Sequence, residues 1–273
     1  MAVTMADISK LRKLTGAGMM DCKKALEETN CDMDAAVEII RKKGQAVAAK
    51  REDREASEGC VLSAAQDGFA ALVALKCETD FVAKNEGFVA LTKKILDAAM
   101  AAKCKSLEEV NALVIEGRPV SELIVEEIGK TGEKMELGGY EWLEGAGVTC
   151  YDHLGNKLST IVAFNKPVER QVGRNVAMQV ASMNPISVSR ADVPAEVVKQ
   201  EFEIAREKAR AEGKKEEMLD KIAEGRLNKF YKESCLLEQE YIMDASMTIE
   251  KYLKSVESDL VATAFKRLNL NED

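Results

Sequence analysis

Aromatic side chains make up only 5% of the 273 residues, and there are just four prolines and one histidine. Few aromatics and few prolines, beside 32% charged residues, suit a helix-rich protein with long solvated faces. The longest apolar run, Phe69 to Leu75, falls far short of the ~20 residues a membrane span needs. Asp7, Lys10 and Arg12 interrupt the first helical pattern, which therefore does not read as a signal peptide. The seven cysteines are scattered and odd in number, with no Cys-x-x-Cys pair, so reduced thiols and a cytoplasmic location are expected rather than a disulfide framework or a zinc site. Neither a GxxxxGK[ST] nor a GxGxxG loop occurs, HExxH is absent, and no carboxylate-rich calcium loop is visible. No bound cofactor or metal is expected. A net charge of −8 makes nucleic acid a poor partner, because phosphate contacts require a basic surface.

What is present reads as an α+β chain of several units. Apolar residues reach 46%, enough for a sizeable core. Thr4 and Asp7 resemble a capping box, followed by Ile8, Leu11 and Leu14 at three-residue steps. Two glycines, Gly16 and Gly18, break this helix. Met19, Cys22 and Leu26 mark a second helix, and Asp32 caps a third with Met33, Val37 and Ile40 inward. Three helices of this size have a marginal core and suit a protein-binding module. Arg41 to Arg54, with six basic and two acidic residues, reads as a charged helical linker.

From Gly59 the pattern changes. Val61–Ala65 and Ala70–Lys76 flank Asp67-Gly68, a hairpin signature. Helices are expected from Glu86 to Ala102, from Ser106, and from Ser121 to Gly129. A second β stretch spans about Met135 to Phe164, broken at Gly155-Asn156, and a helix over Arg170–Met183 follows. Asp192 to Ser234 carries a thin apolar stripe, Val198, Phe202, Ala205 and Ala209, then Met218, Ile222 and Phe230. Such a narrow seam on two charged helices predicts a helical hairpin. Cys235 to Asp273 is expected to return to the core.

Few residues invite chemistry. His153 is near Cys150 and Asp152, but neighbours on a strand point in different directions, so no triad is implied. Cys77-Glu78-Thr79-Asp80-Phe81 follows an apolar strand and precedes a helix. Either Phe81 is presented outward beside its carboxylate, or it anchors the next helix with Asp80 as cap.

Three stretches carry a family resemblance. Leu11-Arg12-Lys13-Leu14-Thr15-Gly16-Ala17-Gly18-Met19-Met20-Asp21-Cys22-Lys23-Lys24-Ala25-Leu26 resembles the N-terminal signature of the bacterial elongation factor Ts family. Glu78-Thr79-Asp80-Phe81-Val82-Ala83-Lys84-Asn85 is similar to its Thr-Asp-Phe segment, and Asn175-Val176-Ala177-Met178-Gln179-Val180-Ala181-Ser182 to its core helix. The resemblance implies a ubiquitin-associated-like module with linker over 1–55. It further implies a core of two related α+β subdomains (56–140 and 141–190), a protruding coiled-coil hairpin (191–234), and the end of the second subdomain with a C-terminal module (235–273). It implies a guanine nucleotide exchange factor, not an enzyme. The partner would be elongation factor Tu, GDP-bound or nucleotide-free, with no direct nucleic acid and no membrane. Phe81 would wedge into the partner, with Thr79, Asp80 and Val82 in the segment that dislodges its magnesium. Met19 and Met20 would lie near the surface gripping the G domain, and His153, within Tyr151-Asp152-His153, would touch a distant domain.

Leu158-Ser159-Thr160 stands where the family often has a glycine-rich strand, Glu240 and Ala245 where prolines are common, and the tail diverges after Val261. Two other functions fit the residues less fully: a binding adaptor without exchange activity, and a hydrolase using Cys77 or Cys150 with His153.

Overall fold

The computed structural model describes residues 2–272. Three helices open the chain, α1 (Met5–Thr15), α2 (Met19–Glu28) and α3 (Met33–Arg51). The strands β1 (Glu58–Gln66) and β2 (Phe69–Cys77) follow, then α4 (Asp80–Ala83), α5 (Glu86–Ala102), α6 (Leu107–Ala112), the two-residue strands β3 (Val114–Ile115) and β4 (Arg118–Pro119), and α7 (Val120–Thr131). The second half runs β5 (Met135–Glu144), β6 (Gly147–Asp152), β7 (Leu158–Phe164), α8 (Arg170–Met183), α9 (Ala195–Ala211) and α10 (Glu216–Ser234). It closes with β8 (Glu240–Tyr241), β9 (Asp244–Thr248), α11 (Ile249–Val256) and β10 (Ala262–Asn269). One 3-10 turn, Arg190–Asp192, precedes α9.

Two three-stranded antiparallel sheets, ordered β1-β2-β5 and β6-β7-β10, lie face to face. Side-chain alternation explains the layering. On β2, Phe69, Ala71, Val73, Leu75 and Cys77 pack toward α5 and α7, joined by Phe88, Ile95, Leu123 and Ile128. The alternate residues Ala70, Leu72 and Ala74 face the second sheet, meeting Ile161 and Ala163 of β7. Val162 and Phe164 turn the other way, onto Val176 and Val180 of α8 and Leu253 of α11. The result is helix, sheet, sheet, helix. Being covered on both faces, β2 shows a continuous apolar run rather than alternation.

The hairpin turn at Asp67-Gly68 has positive φ at both residues, 49° and 75°, as a tight turn with matching strand twist requires. Met135–Glu144 does not belong with the strands after it. It pairs with β2 and completes the first sheet, so a boundary at 140/141 falls inside β5. Local pattern marks a strand but not its sheet, because pairing is a long-range property.

The helical N-terminal region follows the sequence reading closely. Thr4 and Asp7 form the capping box, and Asp32 caps α3. Leu14 is the exception: Ile8, Leu11 and Thr15 make the buried face, and Leu14 turns outward. The expected linker is no separate element. α3 continues to Arg51 and crosses α7. At the crossing Gly44 meets Gly129 so closely that a Cβ on Gly129 would lie 3.0 Å from the Gly44 Cα. Gly16 rests on the Lys130 side chain, and Arg41 pairs with Glu122 at 2.9 Å.

α9 and α10 form a hairpin around Gly213. Its seam is Ala205 and Ala209 against Leu219 and Ala223; Met218, expected in the stripe, is exposed. Arg206–Asp220 and Arg210–Glu216, at 3.0 and 2.7 Å, flank the seam. Residues after Cys235 make no body of their own among the described residues. Leu236, Tyr241, Ile249, Leu253 and Leu260 join the core under α8, and β10 pairs with β7.

Candidate partner-binding surface

α4 is a single turn between β2 and α5, and it holds Phe81 in solvent with 84% of its surface exposed. Its neighbours do the anchoring. Ala83 is buried and Val82 half-buried against the core beneath the first sheet. Outward presentation, the first of the two sequence readings, is therefore the arrangement found for Phe81.

Every polar group of Thr79 is engaged. Its N–H donates to Glu133 Oε2 at 3.0 Å and its hydroxyl to Glu133 Oε1 at 2.6 Å. The same hydroxyl accepts the Val82 N–H at 3.4 Å, which makes Thr79, not Asp80, the cap of the turn. The Thr79 carbonyl accepts from the Cys77 thiol and from the Ala83 N–H. Glu78 accepts from Lys134 N–H at 2.7 Å and Arg54 at 3.0 Å, with Arg51 at 3.5 Å. Burial resists ionisation of Glu78, but the Lys134 N–H and the two arginines outweigh it and hold the carboxyl below its usual range. Arg51 and Arg54 thereby tie the end of α3 to the base of the turn.

Asp80 bonds Lys84 at 2.6 Å, which lowers the Asp80 pKa and raises that of Lys84. Lys157, just beyond the β6–β7 turn, adds to the lowering, so that turn lies within electrostatic reach of Asp80.

Met19 and Met20 stand at the start of α2, 48% and 62% exposed. His153 sits at the β6–β7 turn beside Leu154, itself 91% exposed. Strand alternation sorts its neighbourhood. Tyr151 and His153 share one side and a 3.0 Å hydrogen bond, with Arg174 stacked 4.9 Å over the Tyr151 ring. Asp152 points the other way, accepting from Ser63 and Ser159, and Cys150 lines the space between the sheets on that same side. A Cys150–His153 dyad is thus ruled out by the two-residue period. Cys77 is buried, and burial, reinforced by the Glu133 charge, pushes its thiol up to about 12, the reverse of an activated nucleophile.

Glu133 was not singled out from sequence. It lies 54 residues from Thr79 in a stretch with no distinguishing local pattern. Only the pairing of β2 with β5 brings the two together.

Fold and site together define an α+β protein with antiparallel sheets, a helical N-terminal region, and candidate functional residues displayed at the surface, on the α4 turn, the start of α2 and the β6–β7 turn. Residues 78–272 match the family model described as Elongation factor TS. An Elongation factor Ts of Porphyromonas gingivalis is 57% identical over 274 positions, covering all of both chains. One of Azobacteroides pseudotrichonymphae is 54% identical over 99% of each. One of Parabacteroides distasonis is 47% identical and also covers both chains fully, but over 330 aligned positions, so it carries segments this 273-residue chain lacks. The chain belongs to the elongation factor Ts family, and is a translation elongation factor. Among the described residues no helix is long and apolar enough to cross a membrane.

Proposed function

We propose that this protein is a guanine nucleotide exchange factor for elongation factor Tu in the cytoplasm, acting by binding rather than covalent chemistry. The observation that carries the reading is a solvent-exposed Phe81 on a turn anchored by Thr79, Val82 and Ala83. Phe81 enters the G domain, and Thr79, Asp80 and Val82 accompany it toward the magnesium site. Met19, Met20 and His153 extend the grip to further surfaces. The helices before residue 56 serve as a ubiquitin-associated-like module, the two sheets with their helices as two core subdomains, and α9–α10 as a coiled-coil arm.

Linkage supplies the mechanism. If the factor and GDP oppose each other on one G domain, each weakens the other's affinity by the same factor. Magnesium and the phosphate loop neutralise GDP's phosphates, so disturbing either favours release. A weakening of ~10³-fold needs about 4 kcal/mol of differential binding. Burying one Phe side chain contributes ~1.5–3 kcal/mol, and the wider contact supplies the rest.

Release of a fluorescent GDP analogue from elongation factor Tu tests this. Wild type accelerates release, and Phe81→Ala slows it ~10- to 100-fold, as loss of one buried aromatic requires, with the circular dichroism spectrum unchanged. Tight binding to elongation factor Tu without accelerated release would make the protein an adaptor instead.

A further inference from the structure

We infer that Glu133 is a positioning residue for exchange, aiming Phe81 by clamping the Thr79 cap; the inference rests on the function proposed above. β2 and β5 stop pairing at Cys77 and Met135. Beyond that pair the two segments exchange carboxylates across the gap. Glu133 takes both the N–H and the hydroxyl of Thr79, while Glu78 takes the N–H of Lys134. These reciprocal bonds extend the sheet's end where backbone pairing has ceased.

The consequence falls on α4. Four residues are too few to hold a helical turn by their own hydrogen bonds. Val82 and Ala83 fix where the turn sits, by packing. They leave its rotation about the chain axis to the residue that starts it. Thr79 sets that rotation, and its hydroxyl can accept from Val82 in this orientation because its own proton is committed to Glu133. Phe81 lies two residues further on and is 84% exposed, so its direction is set chiefly by the backbone that Thr79 starts.

Glutamate suits this clasp because its carboxylate offers one charged oxygen to each Thr79 donor, the N–H and the hydroxyl. A glutamine amide could accept from the N–H only by turning its NH2 toward the hydroxyl oxygen, where it would compete with the Val82 N–H and lose the charge assistance of both bonds. Aspartate is a methylene shorter than the reach seen here.

Full-length Glu133→Gln, Glu133→Asp and Phe81→Ala are compared by release of the fluorescent GDP analogue from elongation factor Tu at varied exchange-factor concentration. Expected for Glu133→Gln is a kcat reduced about tenfold with KM within about twofold, the size that loss of one or two charge-assisted hydrogen bonds implies. Glu133→Asp does not restore kcat, and Glu133→Gln added to Phe81→Ala costs nothing further. In the free variant, amide hydrogen exchange at Thr79 and Val82 quickens at least tenfold while β2 and β5 stay protected. Slowed release by Phe81→Ala with normal kcat in Glu133→Gln would overturn this inference alone, as would unaltered protection at Thr79. Normal release by Phe81→Ala would overturn the proposed function and this inference with it.

Discussion

Phe81 and Cys77 are four residues apart and have opposite fates, which local sequence does not announce. Both lie where a strand gives way to a helix. Cys77 closes the inward face of β2 and is buried; Phe81 falls after the cap, beyond the reach of the core. Burial also governs Cys60, whose thiol is pushed up to about 11, as Cys77 is to about 12. Both thiols should therefore resist iodoacetamide at pH 8 in the native protein and react only as the chain unfolds, which peptide mass spectrometry would detect. The linked effect on stability has a definite sign. Unfolded thiols ionise near pH 9 while these stay protonated when folded, so stability is intact below pH 9 and declines as pH rises toward 12. Rapid native labelling of Cys77 would contradict the burial described.

At the scale of elements, the approach of α3 to α7 decides how the helical N-terminal region sits. At Gly129 a Cβ would lie 3.0 Å from the Gly44 Cα, tighter than ordinary packing, so that side of the crossing has no room for a branched side chain. Gly129→Val should force the helices apart, at a cost of about 1–3 kcal/mol for an overpacked site. Hydrogen exchange would show lost protection in α1–α3 with β1 and β2 unaffected; equal loss everywhere would mean the two parts unfold as one. The helices themselves were largely legible in sequence, because caps and glycine stops act within four residues. The helical character of Arg41–Arg51 is legible for the same reason, but its docking partner is not: a basic, alanine-rich run looks like a solvated helix until Glu122 and α7, 81 residues on from Arg41, are in place.

Across the whole molecule, the two sheets meet through a small-residue apolar layer with one polar cluster inside it. Asp152 Oδ1 accepts from Ser63 of the first sheet, and the single hydroxyl proton of Ser159 in the second is shared between Asp152 Oδ1 at 2.7 Å and the Val61 carbonyl at 3.0 Å. The Thr160 hydroxyl donates to the Ala177 carbonyl of α8 at 2.9 Å. Asp152→Ala would remove the acceptor of the half-buried Ser63 hydroxyl and leave Ser159 only the Val61 carbonyl, weakening the junction by about 1 kcal/mol. Urea unfolding should show a lower midpoint with an unchanged slope. An unaltered midpoint would mean water replaces the carboxylate without loss.

The sequence by itself determined the α+β class, the N-terminal helices with their caps, the Asp67-Gly68 hairpin and the paired charged helices after Asp192. All of these depend on contacts within a few residues, where propensity, capping and periodicity operate; the segment around Phe81 stood out only through its family resemblance. Tertiary structure alone decided that β5 joins the first sheet, that β10 completes the second, that α3 docks on α7, and that Glu133 clasps Thr79. Each of those joins residues at least 50 positions apart, and no local pattern encodes a partner at such distance because the bond forms only once the intervening chain has folded.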